Sequence, residues 1–109
     1  MSKRAAKLLL EDILTSIDKI ERYVAGLERE QFLNDEKSMD AVVRNLEIIG
    51  EATRQLPDEF TTQHLGIPWA QIAGLRNRIV HAYFGLDLDI IWEIIQQLPL
   101  LRQQIQSLI

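Results

Sequence analysis

An all-α fold, an up-and-down bundle of four to five helices, is what this chain predicts, and three observations carry that expectation. Apolar residues recur at helical spacings of three and four over most of the length. Hydrophobic residues make up 47% of the chain, enough for a core. Only five Gly and three Pro occur, and two of the prolines stand where helices should stop or start. At 109 residues the chain, 1–109, reads as a single domain, small enough that pairing with a second copy would help it.

The first helix is expected from about Lys3, capped by Ser2, to about Leu27, with Gly26 as its stop signal. Its stripe is Ile13, Ile17, Ile20, Val24 and Leu27, opposite a solvated face of Glu11, Asp12, Lys19 and Arg22. From Leu27 to Asn34 a charged connector follows, one helical turn at most, anchored by Phe32 and Leu33. Asn34 then reads as the cap of a second helix, roughly Asp35 to Leu56, which Pro57 ends. A wide apolar arc on this helix, Val42 to Leu56, leaves one narrow polar row of Arg44, Glu47, Glu51 and Arg54. That row is either a solvated stripe of ion pairs or one wall of a polar cleft. Gly50 within the helix points to a close approach by a neighbour.

Pro57 to Ile67 reads as a loop or short turn, with His64 a surface residue. A third helix should start at Pro68 and bury Trp69, Ile72, Leu75 and Ile79. After Gly85, Asp87 or Asp89 can cap a fourth main helix, which Pro99 should kink or break.

Composition narrows the function. With no cysteine, disulfides and thiolate metal sites are excluded, and two histidines seventeen positions apart do not make a zinc site. No apolar window of about 18 residues exists to span a membrane, and no signal peptide or phosphate-binding glycine loop is visible. A soluble, cytoplasmic protein is expected. The net charge of −4 argues against non-specific coating of nucleic acid, so any RNA contact must come from locally clustered arginines.

That cluster is the run Arg76-Asn-Arg-Ile-Val-His-Ala-Tyr83 near the end of the third helix. An imidazole exchanges protons near neutral pH, and a guanidinium grips phosphate with two hydrogen bonds. Together they are a minimum kit for cutting RNA without a metal. At about 100° per residue, Arg76 and Tyr83 share a face, as do Arg78 and His81, whereas Arg76 and His81 point roughly 140° apart. They can serve one site only if the helix loosens near His81 or a second copy supplies the other half. The plain alternative is that Arg78 and His81 are cations favoured at a helix C-terminus by about 0.3–1 kcal/mol each.

The run Arg76-x4-His81-x-Tyr83, with Asn77 after the arginine, resembles the signature of HepT-like toxins of the HEPN superfamily. The blocks from Ala41 to Phe60 and from Ile67 to Ile95 are similar to the family's two blocks, in order and spacing, and the resemblance covers nearly the whole chain. It implies a helical bundle that dimerises across the motif helix. It also implies a minimal nucleotidyltransferase antitoxin as partner, using ATP to place AMP on the motif tyrosine, here Tyr83. This chain itself needs no cofactor on that reading.

The implied activity is metal-independent endoribonuclease cleavage. His81 acts as general base or acid and Arg76 stabilises the phosphate, while Asn77, Arg78, Arg44 and Glu47 bind or orient the substrate. Attack by a ribose 2′-hydroxyl excludes DNA as substrate. The alternative is a non-catalytic substrate-binding or regulatory subunit of the nucleotidyltransferase.

Overall fold

The computed structural model of the protein describes residues 4–85 and 87–109, and among them all regular structure is helical. α1 spans Ala6–Val24 and buries Leu9, Leu10, Ile13, Ile17 and Ile20 on one stripe. It stops before Gly26, whose φ of 78° is the left-handed conformation a glycine adopts without strain. The expected start at Lys3 and its cap Ser2 lie outside the described residues.

α2, Arg29–Leu33, is the single turn expected of the connector. Phe32 anchors it, fully buried with its ring centroid 5.5 Å from that of Trp92. α3 spans Glu36–Arg54, and its cap is Asp35 rather than the expected Asn34. The amide of Asn34 is engaged elsewhere, donating to the Glu30 carbonyl at 2.9 Å to close α2. Asp35 therefore takes the extended conformation and accepts from the Ser38 amide at 3.2 Å. The hydrogen bonds from Ser38 hold the Asp35 carboxyl below its ordinary 3.8.

Pro57 ends α3 as expected and opens α4, Asp58–Thr62. The helix expected to run on from Pro68 is broken at Gly74 into α5, Trp69–Ala73, and α6, Leu75–Phe84. Two contacts with α3 account for the break. The Ala73 carbonyl accepts from Arg54 Nε at 3.0 Å, and Gly50 lies so close that a Cβ there would meet the Ile72 carbonyl at 3.3 Å. The close approach expected at Gly50 is thus the seat of the α5–α6 junction.

α7 spans Asp89–Gln106, with Leu88 rather than the side chain of Asp87 or Asp89 at its cap position. Asp89 instead pairs with Arg29 of α2. Pro99, expected to kink or break α7, lies inside it. The buried stripe Ile94, Ile95, Leu98, Leu101 and Ile105 keeps its register across the proline. Burying each such side chain contributes about 1.5–3 kcal/mol, so the stripe outweighs the roughly 3 kcal/mol that an interior proline costs.

Four main helices, α1, α3, α6 and α7, form the bundle, with three five-residue helices among the described residues between them. α1 packs on α3 and α7, while α6 rests on α3 along one flank and on α7 along the other. Placing α6 between two neighbours creates the grooves that frame its outer face. No helix among the described residues is long and apolar enough to cross a membrane.

Candidate active site

α6 buries only Leu75, Ile79 and Ala82. Arg76, Asn77, Val80, His81 and Phe84 are exposed. At about 100° per residue these five fill one continuous arc of about 140°, with Arg76 at one edge and His81 at the other. Arg78 lies half-buried just beyond His81, and Tyr83 just beyond Arg76. Between the two candidate catalytic groups stand apolar side chains, Val80 at 43% and Phe84 at 79% exposure.

The helix does not loosen at His81. α6 continues to Phe84, and the Gly85 amide donates to the His81 carbonyl at 2.8 Å. A Cβ on residue 85 would collide with that carbonyl, so glycine closes the motif helix for want of space. Of the two ways to bring Arg76 and His81 into one site, loosening of the helix is therefore not taken.

Along the Tyr83 edge, α3 and α6 enclose a groove of about 330 Å³ lined by Asp40, Val43, Arg44, Glu47, Ile79, Val80, Tyr83 and Phe84. The Tyr83 hydroxyl donates to Asp40 Oδ1 at 3.3 Å. The negative charge of Asp40 and the hydrogen bond it accepts push the phenol above its ordinary 10, so it holds its proton more tightly still. Arg44 and Glu47 thus wall a cleft, one of the two readings their row allowed. All four residues of the row are exposed, as the other reading has them, but among the described residues no ion pair joins Arg44, Glu47, Glu51 and Arg54. Arg54 is spent on the Ala73 carbonyl instead.

Along the other edge, Arg78 lines a separate groove of about 310 Å³ between α6 and α7, beside Leu75, Leu98, Leu101 and Gln104. Asn77 lies within the exposed arc, so the sequence grouping of Asn77 with Arg78 splits across an edge. His64 stands apart, its ring centroid 4.7 Å from that of Phe60 and half-buried rather than free at the surface. Among the described residues no three His, Asp or Glu side chains cluster as metal ligands.

Asp40 is the groove residue that the sequence reading passed over. Its signal was there: it stands four positions before Arg44 and extends the same polar row by one turn.

A model of the family described as "Ribonuclease HepT-like" matches residues 13–108 of the chain. A "Probable ribonuclease HepT" from Thermococcus cleftensis is 40% identical over 107 residues, covering 97% of each chain. Two proteins bearing the description "Putative RNase" are similar over almost as much. One, from Caldanaerobacter subterraneus, is 42% identical over 92% of this chain and 90% of its own. The other, from Methanocaldococcus jannaschii, is 36% identical over 97% of this chain and 98% of its own. No solved structure matches the chain.

Proposed function

This chain belongs to the HepT-like ribonuclease family, and from that premise we propose that it is a toxin that cuts RNA as a homodimer, without a metal, and is silenced through Tyr83. The observation that carries the reading is the exposed arc of α6. It holds a guanidinium, an amide and an imidazole on a regular helix, with none of them tied to a partner among the described residues. A convex face cannot enclose a phosphate by itself. Two copies meeting across α6 would cover Val80 and Phe84 and bring the Arg76 of each copy toward the His81 of the other, which resolves the angle of roughly 140° between them.

In that cleft the imidazole of one His81 takes the proton of a ribose 2′-hydroxyl. The 2′-oxygen attacks the adjacent phosphorus, and the bond to the 5′-oxygen breaks as the second His81 donates a proton to it. Arg76 holds the non-bridging oxygens, where charge gathers in the transition state. Asn77 orients the phosphate, Arg78 takes a flanking one, and the Arg44 and Glu47 wall guides the strand. The products are a 2′,3′-cyclic phosphate and a free 5′-hydroxyl. DNA has no 2′-hydroxyl and is not a substrate.

Control is proposed to come from a minimal nucleotidyltransferase that transfers AMP from ATP to Tyr83. Tyr83 stands about 20° from Arg76 around the helix. An added phosphate there puts bulk and negative charge beside the RNA phosphate and competes for Arg76.

The test is cleavage of total RNA, in EDTA, by the purified wild type against Arg76→Ala and His81→Ala. The wild type should produce cyclic-phosphate ends, and either variant should lose at least about 100-fold in rate. Both side chains are exposed, so the stability of each variant should stay within about 0.5 kcal/mol of wild type. The net charge of −4 favours a second reading, a binding subunit of the nucleotidyltransferase. A wild type that leaves RNA whole yet binds that enzyme selects it.

A further inference from the structure

Tyr83 does not stand free in its groove. Its hydroxyl is aimed from α6 at a single acceptor on α3, Asp40 Oδ1, and the two residues are 43 positions apart in sequence, so the pairing is made by the fold. Asp40 is exposed on α3, and no cation pairs with it among the described residues. A carboxylate held by nothing but the phenol is free to accept that phenol's proton. At 3.3 Å the bond is long for O–H···O, as catalytic hydrogen bonds often are before the reacting partner arrives.

We infer that Asp40 is the general base for nucleotidyl transfer to Tyr83, so that this chain supplies part of the machinery of its own modification. The inference rests on the proposal above that Tyr83 is the acceptor. In the step, the Tyr83 oxygen forms a bond to the α-phosphorus of a nucleoside triphosphate as its proton passes to Asp40. The bond from that phosphorus to the β-phosphate oxygen breaks, and pyrophosphate leaves. A phenol of ordinary value 10 is protonated near neutral pH, and the neighbouring charge raises it further, so no phenolate is waiting. The proton must therefore leave during the transfer, and a base in contact with it lowers that barrier. Protein kinases use an aspartate on a substrate hydroxyl in the same way. Arg44, one turn beyond Asp40 and lining the same groove, supplies a cation for the incoming phosphates.

The experiment compares wild type, Asp40→Asn and Asp40→Glu as acceptors for a purified HepT-partner nucleotidyltransferase with ATP and Mg²⁺, following AMP on the Tyr83 peptide by mass spectrometry. Asparagine still accepts the Tyr83 hydrogen bond but cannot take its proton, whereas glutamate restores a carboxylate. Far-UV circular dichroism confirms that each chain is folded. The expected result is a rate about 100-fold or more below wild type for Asp40→Asn, with substantial recovery in Asp40→Glu. Modification of Asp40→Asn at the wild-type rate overturns the role of Asp40 and leaves Tyr83 as acceptor. No AMP on wild-type Tyr83 overturns both.

Discussion

α3 and α6 pack against each other yet treat solvent in opposite ways. α3 buries Met39, Val42, Leu46 and Ile49 and turns out a row of charged side chains, the division expected of a helix on the surface of a bundle. α6 buries three residues of ten and turns out Phe84 and Val80 between Arg76 and His81. Solvent does not call for an exposed phenyl ring between a guanidinium and an imidazole. The buried face of α3 is explained by folding alone, whereas the exposed ring of Phe84 on α6 fits the contact proposed to cover it.

The strongest challenge to this contrast is Ile49→Ala on α3. Ile49 is fully buried, and truncation should cost about 2–5 kcal/mol in urea denaturation. A smaller loss would mean that the inner face of α3 is no more essential to folding than the outer face of α6. A finer probe is Phe84→Asp. It should leave stability within about 0.5 kcal/mol while weakening self-association by at least about tenfold in analytical ultracentrifugation, since it places a charge where a contact is proposed. Unchanged association would detach the exposed ring from any dimer. The smallest effect is expected from Asp35→Asn at the start of α3. The folded carboxyl of Asp35 is lowered, so its stabilisation is fully present above the ordinary 3.8 and is lost as the pH falls from there through the lowered value. Asparagine still caps but does not titrate there, so the acid limb of a stability curve should flatten in the variant.

Much of the fold was legible because it is written in local periodicity. The stripes of α1 and α3 and the stop at Gly26 follow from spacing within one helix, and the buried face Trp69, Ile72, Leu75 and Ile79 keeps its helical spacing even across the break at Gly74. Three features escaped because neighbours decide them. Gly74 breaks a helix whose own pattern runs on, since α3 reaches across to the Ala73 carbonyl. Pro99 fails to break a helix whose buried stripe continues on either side. Asn34 lost the capping position to Asp35 because α2 had already engaged its amide.

The candidate site divides along the same line. Arg76, Asn77 and His81 were legible as a motif, and the angle between Arg76 and His81 was already a problem on an ideal helix. The contact between Tyr83 and Asp40 was not legible, because no local rule joins a residue in α6 to one in α3. Arg78 shares a side of the wheel with His81, yet only the packing of α7 shows that it lines a different groove.

The fit of Gly85 against the His81 carbonyl bears on how freely the sequence can drift. At most helix ends several residue types serve, and selection can wander among them. Here the backbone oxygen of His81 occupies the space that any side chain on residue 85 would need. The glycine two places after the motif is therefore set by the backbone oxygen of position 81, which every residue there would carry. A library that randomises position 85 should return glycine wherever the last turn of α6 is kept intact, whichever side chain stands at position 81.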